Sequence, residues 1–142
     1  RMPIPQSISG TDQTVRPESK SASEPVVLIV DDSDEMRAYL RGCLNRGGIN
    51  NIIEAADGLD ALHVVLDKEV ALVISDIVMP GLDGYELCRR VKENAELGDI
   101  RVLLISGETT GTQPGCMNDG FLNKPFNAAK LRSSVRRLLN TD

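Results

Sequence analysis

Tryptophan is absent from this 142-residue chain, and two tyrosines and two phenylalanines are its only aromatic residues. Aliphatic side chains must therefore fill any core it builds. An excess of basic residues is also missing: 16 Lys and Arg stand against 21 Asp and Glu, a net charge of −5. That balance argues against nonspecific binding to nucleic acid or to anionic membranes. No apolar run approaches the length of a membrane span, and nothing resembles a signal peptide. The three cysteines, Cys43, Cys88 and Cys116, form no C-x-x-C pair and have no companion His spacing. A metal–thiolate site is therefore not expected, and a reducing cytoplasm is. Cys43 and Cys88 read as small buried hydrophobes on helix faces, and Cys116 as a loop residue. The single histidine, His63, lacks metal-ligand spacing and reads as structural or solvated.

What is present reads as one domain, with 41% hydrophobic and 26% charged residues. Residues 1–25 are rich in Ser, Thr, Pro and Gln without apolar periodicity, which predicts a disordered tail or linker. Five short apolar strands then alternate with helices. Val26-Val27-Leu28-Ile29-Val30 ends in Asp31-Asp32, and Ser33 caps a helix carrying Met36, Tyr39, Leu40, Cys43 and Leu44 inward until Gly47-Gly48. Ile52-Ile53-Glu54-Ala55 is the second strand. Asp57-Gly58 opens a helix whose predicted core face is Leu59, Leu62, Val65 and Leu66. Residues 71–76 form the third strand, ending in Asp76. A Pro80-Gly81 turn and an Asp83 cap with Glu86 as its N3 partner lead into a helix burying Leu87, Cys88 and Val91. Val102-Leu103-Leu104-Ile105 runs into Ser106-Gly107, and Phe121-Leu122 into Asn123-Lys124-Pro125. Asn127 caps a last helix with Leu131, Val135, Leu138 and Leu139 at core positions. The alternation predicts an α/β fold: a five-stranded parallel sheet in the flavodoxin-like order 2-1-3-4-5, with helices on both faces.

Parallel strands bring their C-terminal ends to one edge, where open α/β sheets bind ligands. That edge gathers Asp31, Asp32, Asp76 and Ser106, with Lys124 close by. Three clustered carboxylates repel one another and make sense mainly with a cation between them. Oxygen-only ligands suit a hard ion that keeps water, which points to Mg²⁺. Lys124 suits a phosphoryl oxygen as a point charge, Ser106 offers a hydroxyl donor, and Gly107 lets a backbone N–H approach an anion. Asp76 is then placed as a nucleophile toward phosphorus.

These residues resemble a receiver domain of the two-component response regulators, over residues 26–140. The resemblance rests on Asp31-Asp32, the D-x-x-M-P-x-x-D-G run from Asp76 to Gly84, Ser106-Gly107 and Lys124-Pro125-Phe126. It implies that Asp76 accepts a phosphoryl group from a sensor histidine kinase or phosphotransfer protein, switching contact with a downstream protein or attached domain. It implies Mg²⁺, with Mn²⁺ as a substitute, held by Asp32, Asp76, Asp31 through water and the Val78 carbonyl. Ile77 and Gly107 would bind the phosphoryl group by their backbone, Ser106 and Phe121 would form the switch pair, and Lys124-Pro125 would be cis. Such a domain works in the cytoplasm, without nucleic-acid or membrane contact of its own, and catalyses only its own phosphorylation and dephosphorylation.

One departure stands out. Between Ser106 and Lys124 the chain is about one helical turn shorter than such domains usually are. Gly111, Pro114 and Gly115 also predict a fourth helix that is short or irregular. A phosphorylation-independent pseudo-receiver is therefore the alternative reading. An aspartate-dependent phosphatase is weaker, because Val78 stands where its general acid would be.

Overall fold

The computed structural model describes residues 24–107 and 117–140. The expectations for the tail before residue 24, for Cys116 and for most of the shortened fourth-helix segment lie outside them. Short apolar runs, β-branched in all but the last, form the five strands: β1 (Val27–Val30), β2 (Ile52–Ala55), β3 (Leu72–Asp76), β4 (Arg101–Ser106) and β5 (Gly120–Asn123). The helices are α1 (Asp34–Arg46), α2 (Gly58–Asp67), α3 (Gly84–Glu93) and α4 (Ala128–Leu139). All pairings are parallel in the order β2-β1-β3-β4-β5, the flavodoxin-like order. No helix among the described residues is long and apolar enough to cross a membrane.

Alternation along the strands divides the core into two layers. Leu28, Val30, Val73, Val102 and Leu104 pack against α2 and α3, on Ala61, Val65, Leu87, Cys88 and Val91. Val27, Ile29, Leu72, Ile74, Leu103 and Ile105 face α1 and α4, on Leu40, Cys43, Leu44, Leu131, Val135 and Leu138. Buried Cys43 and Cys88 are core hydrophobes, as read. Each of the four helices among the described residues has a side-chain cap at its start. Ser33, Asp57, Asp83 and Asn127 accept from the N–H groups of Met36, Asp60, Glu86 and Lys130 at 2.8–3.1 Å. The Glu86 carboxylate takes Arg90 at 2.9 Å and also Arg89.

Three apolar side chains break the predicted pattern. Leu59 and Leu66 are 55% and 57% exposed, and Tyr39 is 43% exposed with its ring tilted against Phe126. On α2 Val65 is buried and Leu62 partly buried, as read, but Gly58 and Ala61 take the other buried places. The smallest side chains face inward there because α2 is drawn in close: a Cβ on Gly58 would fall on the Leu82 carbonyl and 2.9 Å from the Leu82 Cβ. Close approach outweighs hydrophobic bulk in setting this helix's rotation.

Gly84 makes a similar contact nearer the sheet edge. A Cβ there would overlap the Asp76 carbonyl and lie 2.8 Å from the Ile77 Cα, and the Gly84 N–H donates to the Ile77 carbonyl at 2.9 Å. Gly84→Ala is expected to destabilise the fold by about 1–3 kcal/mol through overpacking. Gly42→Ala, in a helix interior with only ordinary contact to Arg46, is expected to stabilise by about 0.5–1 kcal/mol. Urea unfolding of the two variants checks both signs.

Candidate functional site

Four of the five strands, β1, β3, β4 and β5, end side by side and carry the predicted residues with them. Asp31 follows β1 and is 4% exposed; its N–H bonds the Ala55 carbonyl at 3.2 Å and its Oδ1 accepts from the Ser33 N–H at 2.9 Å. Asp76 closes β3, half-buried, with Oδ1 accepting from the Ile77 N–H at 3.0 Å. Asp32 completes the group from the exposed side. One carboxylate oxygen from each of Asp31, Asp32 and Asp76 can be chosen so that all lie within 4.8 Å of one another.

Lys124 reaches in from the end of β5, its Nζ 3.6 Å from Asp76 Oδ1, and the Lys124-Pro125 bond is cis. The Lys124 N–H donates to the Ser106 carbonyl at 2.7 Å, tying the β4 and β5 ends together. Ser106 is buried at the end of β4, and Gly107 beside it is exposed. Phe121 is half-buried against the α2–α3 layer, opposite Leu104 in register. Val78 is 66% exposed on the loop after β3. His63 is solvent-exposed on α2, consistent with its reading as solvated.

Electrostatics sets the chemistry of this edge. Burial pushes both the Asp31 and Asp76 carboxyls above their ordinary pKa. For Asp31 the Ser33 N–H and Lys124 oppose the shift, while Asp76 and Asp32 add to it. For Asp76 Lys124 and the Ile77 N–H oppose it, and Asp32 adds to it. One lysine thus faces three carboxylates, and the residual negative charge suits a hard divalent cation with oxygen ligands. The donor set fits Mg²⁺.

A profile of the response regulator receiver domain matches residues 27–136. The chain belongs to that family. It is therefore a receiver domain of two-component, phosphorelay signalling. It is similar to the chemotaxis protein CheY-3 of Vibrio cholerae, 34% identical over 79% of this chain and 89% of that one. Among solved structures it resembles the receiver domain of a signal transduction histidine kinase from Syntrophus aciditrophicus. The two are 32% identical at a TM-score of 0.73, over 83% of this chain and 95% of that one. A third similarity, of fold alone, is to the receiver domain of a sensor histidine kinase from Pseudomonas aeruginosa. That structure, 20% identical at a TM-score of 0.75 over 84% and 100% of the two chains, has a magnesium ion coordinated in its active site cleft.

Two contributors to this receiver site escaped the sequence reading. Gly84 was read as the end of the D-x-x-M-P-x-x-D-G run but not for its packing role: its missing Cβ lets α3 close on the Asp76 peptide. Arg37 was given no role, yet its Nη1 donates to the Asp31 carbonyl at 2.6 Å. The one signal for Arg37 was Glu54, a charge inside an apolar strand.

The raised carboxyl pKa values carry a sign. The folded state holds the Asp31 and Asp76 protons to higher pH than the unfolded chain, so their contribution to stability falls as pH rises above 3.8. Without divalent cation, Asp76→Asn is expected to melt higher than the parent, the gap widening through that window and narrowing when Mg²⁺ is added. Thermal melts of both proteins against pH, with and without Mg²⁺, check this.

Proposed function

We propose that residues 26–140 act as a phosphoacceptor switch in which Asp76 takes a phosphoryl group from a phosphohistidine. The donor is a sensor histidine kinase or phosphotransfer protein, and the consequence is altered contact with a downstream protein or attached domain. The observation that carries this reading is the convergence of three carboxylates with Lys124 3.6 Å from Asp76. An Asp76 carboxylate oxygen bonds to phosphorus as the P–N bond breaks, and the electron pair leaves on the imidazole nitrogen. Asp31, through water, Asp32, Asp76 and the Val78 carbonyl would hold Mg²⁺, or Mn²⁺ in its place. When bound, Mg²⁺ supplies positive charge to the carboxylates and to the phosphoryl oxygens. The Lys124 ammonium stabilises the same oxygens as a point charge, and the Gly107 N–H binds them from the backbone; the Ile77 N–H, expected in the same role, instead donates to the Ile105 carbonyl and to Asp76 Oδ1, both at 3.0 Å.

Ser106 and Phe121 form the switch: the hydroxyl turns toward the phosphoryl group and the ring moves behind it. Support comes from their places on adjacent strands, Phe121 opposite Leu104 and Ser106 two residues beyond Leu104, and from the half-buried packing of Phe121. The domain catalyses only its own phosphorylation and dephosphorylation, in the cytoplasm, without nucleic-acid or membrane contact. Val78 disfavours the phosphatase reading, since an apolar side chain cannot protonate a leaving group. For the same reason it cannot orient a hydrolytic water, so the acyl phosphate is long-lived unless Glu108 assists.

Incubation with acetyl phosphate and Mg²⁺ should add a single phosphoryl group by intact mass, absent in Asp76→Asn and with EDTA. No adduct from acetyl phosphate or from a phosphorylated kinase would favour the phosphorylation-independent pseudo-receiver. Val78→Asn should shorten the adduct's lifetime, followed by mass after desalting; an unchanged decay would contradict that role for Val78.

A further inference from the structure

Arg37 links the acid cluster to the edge of the sheet. Its side chain is only 13% exposed, and its donors divide among three partners on three elements. Nη1 donates to the backbone carbonyl of Asp31 at 2.6 Å, Nε to Glu54 Oε1 at 3.1 Å, and Nη2 to Asp34. Glu54, on the edge strand β2, is held from its other oxygen by Arg41 Nε at 2.6 Å. The bond to Arg41 and then the bond to Arg37 keep the Glu54 carboxyl below its ordinary pKa. The result is a chain of charge-assisted bonds from Arg41 through Glu54 and Arg37 to the peptide joining Asp31 to Asp32.

That peptide decides where two of the three carboxylates point. On one side the Asp31 N–H is fixed by the Ala55 carbonyl, and on the other the Asp31 carbonyl is fixed by Arg37. Turning that peptide plane about the ψ of Asp31 and the φ of Asp32 would swing Asp32, the exposed member, away from Asp31 and Asp76. We infer that Arg37 is a positioning residue for the cation site, orienting Asp31 and Asp32 through the Asp31 carbonyl while touching neither carboxylate. The inference rests on the reading of Asp31, Asp32 and Asp76 as that site. Arg41 supplies an internal comparison, because it shares Glu54 but makes no bond to the Asp31 carbonyl among the contacts described.

Mn²⁺ binding, followed by the loss of the free-ion electron paramagnetic resonance signal well below the melting temperature, tests this without phosphoryl transfer. In Arg37→Met the dissociation constant should rise about tenfold or more, and in Arg41→Met it should stay within about twofold of the parent. If Arg37→Met does not fold by circular dichroism, Glu54→Gln releases the same guanidinium and should weaken Mn²⁺ binding in the same direction. Parent-like affinity in Arg37→Met, or an equal loss in Arg41→Met, would overturn the positioning role while leaving the cation site intact. A parent protein that does not bind Mn²⁺ would overturn the cation site itself.

Discussion

Carboxylate repulsion at one sheet edge is the constraint around which the rest of the domain is arranged. Asp31, Asp32 and Asp76 offer oxygens within 4.8 Å of one another, and burial makes the charge of Asp31 and Asp76 harder to sustain. Such a group persists only when the backbone carrying it is held firmly and positive charge is supplied. The parallel sheet does the first by aligning strand ends, each pinned by ladder bonds to a neighbour. Lys124 begins the second, and a divalent cation would complete it.

Local devices then hold the loops that carry the acids. Ser33 both caps α1 and gives its N–H to the Asp31 carboxylate, so one residue starts the helix and orients an oxygen of the acid cluster. Gly84 lets α3 begin against the Asp76 peptide, and Gly58 lets α2 begin against Leu82 on the same loop. Two missing side chains thus confine the segment between β3 and α3 from two sides. Away from the site, Asp119 accepts from Lys92 at 2.7 Å and from the Val102 N–H at 2.8 Å. Those contacts fasten the end of α3 and the approach to β5 to the start of β4.

The strands, their order, the caps and the convergent acids were legible in the sequence, because each rests on a local pattern. An apolar run ending in Asp reads as a buried strand with a polar tip, and only right-handed crossovers then remain to be chosen. The rotation of α2 was not legible: Leu59 and Leu66 looked like core by bulk, while Gly58 and Ala61 took those places by proximity to other elements. Tyr39 was misread for a related reason, its ring lying against Phe126 near the surface. Arg37 escaped because, Asp34 on its own helix apart, its partners Glu54 and the Asp31 carbonyl reach it only through folding, and no spacing within α1 announces a bond to a carbonyl six residues earlier.

The need of the acid cluster for a cation can be measured directly by titrating Mg²⁺ calorimetrically in two buffers of different ionisation heat. One Mg²⁺ should bind per chain, with protons released at acidic pH, where the raised Asp31 and Asp76 groups are still partly protonated. The release should fade as pH rises, and Asp31→Asn or Asp76→Asn should weaken binding. Absence of saturable binding, or binding unaffected by both substitutions, would contradict a cation site built from these three carboxylates.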